Sequence, residues 1–132
     1  MTHDIKIAAS NYATLRETLL CDGPRESATF LLAGVSRQAG KETLLVRRLI
    51  TIPREAYRIK NNLHLDISPQ AINGLVALCE ANGLGAVLAH SHPGVGNNLH
   101  YSPSDDHGEH RLAKAIRQAV PLAPVGSLLI SE

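Results

Sequence analysis

The sequence predicts a mixed α/β domain, a mixed β-sheet flanked by helices, and three observations carry that expectation. Apolar runs too short for helices, at 28–35 and 85–89, are bounded by turn residues and read as buried strands. After Ser68-Pro69, a cap followed by proline at the first helical position, Ile72, Leu75, Val76 and Cys79 recur on one face until Asn82-Gly83. The elements also follow one another irregularly, as in helices packed on a sheet, without regular βαβ winding.

Taken in order, 10–20 reads as an amphipathic helix. Tyr12, Leu15 and Leu19 fall at helical spacing, Ser10 is available as a cap, and Asp22-Gly23-Pro24 stops the chain. Residues 28–35 form a strand buried on both faces. A second strand over 44–52 places Leu44, Val46, Ile50 and Ile52 on one face, with Leu45 and Leu49 blurring the alternation. Short strands at 57–60 and 63–67 flank a turn at Asn61-Asn62. The strand over 85–89 runs directly into His90-Ser91-His92-Pro93. Beyond a Gly- and Asn-rich loop, Ser102-Pro103-Ser104-Asp105 opens another helix, with Leu112, Ala113, Ile116 and Val120 on one face before Pro121. A last strand spans 125–130.

The chain has 132 residues, 44% hydrophobic and 19% charged, which suits one domain able to bury roughly two-thirds of its unfolded surface. Thirteen Lys+Arg against twelve Asp+Glu give a net charge of +1, and the four aromatics Tyr12, Phe30, Tyr57 and Tyr101 make no stacking platform. A nucleic-acid partner is therefore not expected. Cys21 and Cys79 lack the spacing of a thiolate metal site or a disulfide framework, so both are expected to be core or near-core thiols in a reducing compartment. No basic segment leads into an apolar run at the N-terminus, and no apolar stretch approaches the roughly 18 residues of a membrane span. The expected location is the cytoplasm, with no membrane partner.

The chemistry concentrates after the strand at 85–89. His90 and His92 stand two positions apart at a strand end, so both imidazoles project to one side and can converge on a metal ion. A catalytic zinc takes three protein ligands and keeps one position open, and Asp105, at the start of the next helix, is the natural oxygen ligand. Each piece also has a plainer explanation. A His-x-His pair is often a surface pair, and Ser102 to Asp105 is equally a capping box. His107 and His110 beside Glu109 and Arg111 read as a solvated helix face. A general base is left open among Glu17, Glu26, Glu42 and Glu55.

His90-Ser91-His92-Pro93 followed by Ser102-Pro103-Ser104-Asp105 resembles the H-x-H-P…S-x-x-D signature of the JAB/JAMM (MPN+) zinc metalloproteases, in particular their bacterial branch. The segment from Glu26 through the apolar residues Phe30, Leu31 and Leu32 to Gly34 is similar to that family's glutamate-led strand. The resemblance implies a JAB/MPN (cytidine-deaminase-like) architecture, with zinc held by His90, His92 and Asp105. It implies that Glu26 moves the proton between the water and the leaving amine, and that Ser102 stabilises the oxyanion. It further implies hydrolysis of a peptide or isopeptide bond after the C-terminal tail of a ubiquitin-like or sulfur-carrier protein. That tail would lie extended beside the active-site strand.

The loop from His92 to Ser102 is longer than the family pattern, which keeps Asp106 as an alternative ligand and His100 as a fourth. Bacterial relatives often continue into further strands or an adenylyltransferase domain of the ubiquitin-activating type. Residues 1–132 are thus expected to be a single JAB/MPN domain, either a short stand-alone member or an excised domain. A non-catalytic MPN-type interaction scaffold is the alternative function. A RadC-like domain has a similar pattern, but the Glu-led strand argues for the peptidase. A nucleobase deaminase would need H-x-E and P-C-x-x-C, and neither occurs.

Overall fold

A computed structural model describes residues 2–21, 27–60, 65–91 and 103–130; at 2, 3, 54, 58–60, 65, 66 and 103–109 the description is of the backbone. The elements run β1 (Thr2–Lys6), α1 (Ala9–Leu20), β2 (Ala28–Gln38), β3 (Lys41–Thr51), a 3-10 turn (Arg54–Ala56), β4 (Tyr57–Lys60), β5 (Leu65–Ile67), α2 (Pro69–Asn82), β6 (Gly85–Ser91), α3 (Pro103–Ala119) and β7 (Val125–Ile130). Five strands make one mixed sheet in the order β1-β3-β2-β6-β7, and β4 and β5 form a separate antiparallel pair. β2 is antiparallel to both of its neighbours, whereas β1 runs parallel to β3 and β7 parallel to β6. Among the described residues no helix is long and apolar enough to cross a membrane.

The sheet separates two cores. On one face Leu15 and Leu19 of α1 pack on Leu31, Ala33, Leu44, Val87 and Ala89. On the other, Leu75 and Cys79 of α2 and Leu112 and Ile116 of α3 cover Phe30, Leu32 and Ala86. With helices on both sides, the first seven residues of β2 are buried whichever way they point, which accounts for their continuous apolar run. α2 is built as its sequence dictates. The Ser68 Oγ accepts from the Ala71 N–H at 3.3 Å, Pro69 occupies the first turn, and Gly83 ends the helix in the left-handed region.

Four expectations need correction. β1 was not anticipated, because its polar residues show no alternation; it is a strand because its backbone pairs with Lys41–Leu45 and Ile5 packs into the α1-side core. Ser10 does not cap α1. The helix begins one residue earlier, behind Ala8, without a side-chain cap, and Ser10 instead offers its carbonyl to the Thr14 hydroxyl at 3.1 Å. Cys21 is exposed at the end of α1, and only Cys79 of the two cysteines is a core thiol. Finally, Leu44, Val46, Ile50 and Ile52 do not share a face.

That last correction has a local cause. Leu32 pairs with Arg48 and Ala33 with Val46, so Arg47 is bulged out of the ladder. One extra residue inverts the period-2 pattern. Leu44, Val46 and Leu49 therefore face the α1-side core, while Ile50 and Ile52 face α2. The helix stop at Asp22-Gly23-Pro24 and the turn at Asn61-Asn62 lie outside the described residues, and the strand expected at 63–67 is described as Leu65–Ile67.

Candidate functional site

His90, the penultimate residue of β6, is 3% exposed. Its register partners are Ala28 on β2 and Leu129 on β7, so neighbouring strands fix it from both sides. Ala86 belongs to the core under α2 and α3, as does Ala28, and strand alternation sends the His90 side chain to that same face. α3 packs over β6 and β7 there. Asp105 lies in the first turn of α3, where the backbone is described. Glu26, His92 and Ser102 lie outside the described residues, as do His100 and the loop around it. Among the described residues no group of three His, Cys, Asp or Glu side chains could hold a metal ion.

Two hydrogen-bond clasps surround His90, and sequence reasoning did not foresee either. The Ser27 N–H donates to the Oγ of Ser91 at 2.9 Å, while the Ser91 N–H donates to the Ser27 carbonyl at 2.9 Å. Ser91 is wholly buried and Ser27 nearly so. The residue following Glu26 is thereby locked to the residue between the two histidines. The second clasp is Tyr57. Its hydroxyl accepts from the Ala28 N–H at 3.2 Å and donates to the Ala28 carbonyl at 3.0 Å. β3 pairs with β2 only as far as Thr29↔Thr51, so the phenol satisfies backbone groups for which β3 has no residue. The partners are 64 and 29 residues apart, and no local pattern announces such contacts.

The described carboxylates narrow the choice of base. Glu42 pairs with Arg37 at 2.9 Å, at the end of β2 remote from Ala28, which excludes it on position. Glu17 is exposed on α1, across the sheet from the face to which His90 points. Glu55 stands two residues before Tyr57 and lines a cavity beside α2. His110 is exposed on α3, in keeping with a solvated helix face.

No protein-family model matches this chain, and no curated protein matches it either.

Proposed function

We propose that this chain is a zinc-dependent metallo-(iso)peptidase of JAB/MPN architecture that hydrolyses the bond after the C-terminal tail of a ubiquitin-like or sulfur-carrier protein. The observation that carries the reading is the Ser27–Ser91 clasp with its adjoining Ala28↔His90 pair. It supports the reading because Glu26 and His92 are the next residues on the two clasped segments, and Asp105 sits in the first turn of the helix packed over β6.

The residues fit a catalytic zinc: two imidazoles and one carboxylate are three protein ligands with a fourth position left open. His90 brings to that set a buried side chain on a strand paired along both edges, the rigid support a metal ligand needs. When bound, zinc would supply Lewis acidity to the scissile carbonyl and to a water molecule. Glu26 takes a proton from the attacking water and delivers it to the leaving amine. The Ser102 hydroxyl donates a hydrogen bond to the developing oxyanion. The partner that would deliver such a substrate is an adenylyltransferase of the ubiquitin-activating type.

Elemental mass spectrometry on chain purified without chelator or affinity tag tests the ligand set. The expected result is close to one zinc per wild-type chain and none in His92→Ala. Glu26→Gln should keep the metal and lose turnover of a ubiquitin-like fusion. Wild-type chain that holds no zinc after supplementation would remove the reading and leave the non-catalytic scaffold.

A further inference from the structure

The outer edge of β3 is covered over only half its length. β1 pairs with Lys41–Leu45, whereas β3 continues to Thr51, and from Val46 onward β2 lies along the inner edge while no described strand lies along the outer one. Both backbone groups of Ala28 face Tyr57, so alternation turns those of Phe30 and Leu32 toward Ile50 and Arg48. The N–H and C=O groups of Leu49 and Thr51 then point outward. Among the described residues they have no hydrogen-bond partner.

Against this edge, on the α2 side, lies a cavity of about 570 Å³ lined by Phe30, Ile50, Ile52, Glu55, Gly74 and Leu75 among others. Gly74 is in the middle of α2, and a Cβ placed there would meet nothing within 4 Å. Glycine at such a position costs about 1 kcal/mol of helix stability relative to alanine, and here it keeps the cavity wall open. Arg48 shares the parity of Ile50 and Ile52. Arg47, displaced by the bulge, lays its guanidinium over Gly34, 3.4 Å from where a Cβ would be. Both arginines are exposed, and neither has an acidic partner among the described residues.

We propose that the β3 edge from Val46 to Thr51 is a docking site for an extended segment of a partner protein carrying a carboxylate and a large apolar side chain two residues apart. The segment adds to the sheet as a further strand, its backbone pairing with Leu49 and Thr51. Alternation places residues two apart on the same face, so one side chain enters the cavity beside Ile50 while the other meets Arg48. None of these residues is a proposed metal ligand, so the inference stands or falls separately from the zinc reading.

The test is fluorescence anisotropy on the whole chain, with and without chelator. The probe is the end-blocked, labelled hexapeptide Ser-Glu-Thr-Leu-Thr-Ser and its analogues with Ile, Met or Phe for Leu. Saturable binding is expected, weakened about tenfold or more when Glu and Leu are made adjacent. N-methylation of one alternate set of peptide nitrogens should abolish binding, and methylation of the other set should spare it, since only one set faces the edge. Gly74→Leu and Arg48→Glu should each weaken binding, with urea melts of both variants confirming that they remain folded. Absence of binding across the panel, or equal loss with both methylation sets, would overturn the proposal and leave the arginines and the bulge as protection of an open edge. Dimerisation of the wild-type chain that Gly74→Leu abolishes, seen by sedimentation, would make the occupant a second copy and overturn it as well.

Discussion

The Tyr57 hydroxyl holds both backbone groups of Ala28, the residue that stands opposite His90. A single side-chain oxygen therefore closes the edge of β2 beyond the last residue of β3 and steadies the strand on which the candidate ligand leans. Tyr57→Phe keeps the ring and leaves a part-buried N–H and C=O unpaired. The expected loss is about 1–3 kcal/mol in denaturant unfolding. Zinc content should fall with it if the strand end carries the metal.

Ser91→Ala removes the acceptor of the Ser27 N–H at a fully buried position. The same class of penalty applies, about 1–3 kcal/mol. Ser91→Thr retains the hydroxyl and should recover part of the loss. Urea melts of the two variants, read beside their zinc stoichiometry, separate a structural clasp from a contact without consequence.

Gly85 admits no side chain. A Cβ there would collide with the carbonyl oxygen of Pro124, which accepts the Ala86 N–H at 3.0 Å and so aligns the start of β7 with β6. Gly85→Ala must push those strands apart. We expect about 3 kcal/mol or more of destabilisation by thermal unfolding.

The two thiols should differ in reactivity. Burial in the α2-side core pushes the Cys79 thiol above its ordinary pKa and shields it from reagents, while Cys21 is exposed. A thiol-reactive dye should label one cysteine per native chain and both in denaturant. Rapid labelling of Cys79 under native conditions would show that α2 opens from the sheet.

Asp4 and Lys41 join β1 to β3 at 2.8 Å. The hydrogen bond from Lys41, and next its charge, hold the Asp4 carboxyl below its ordinary pKa, with Lys6 adding a smaller pull. A carboxyl depressed in the folded state stabilises it above the unfolded pKa, and that contribution is lost as pH falls through the folded value. Lys41→Gln should raise the Asp4 titration midpoint seen by carboxyl-carbon NMR. The stability difference between variant and wild type should shrink toward zero in acid.

The sequence by itself determined most of the elements, because their signals are local. Ser68-Pro69 and Gly83 bound α2 through contacts within a few residues, and the short, continuous apolar runs around Phe30 and Val87 read as central strands. It also placed His90 at a strand end. What only the tertiary structure decided was set at a distance. Ile5 makes β1 a strand by reaching a core assembled from elements much later in the chain. The bulge at Arg47 divides β3 between two cores, since register depends on the partner strand and not on the residues of β3 alone. The Ser27–Ser91 and Tyr57–Ala28 clasps, and the open edge beside Gly74, exist only once the chain has brought together segments that share no periodicity.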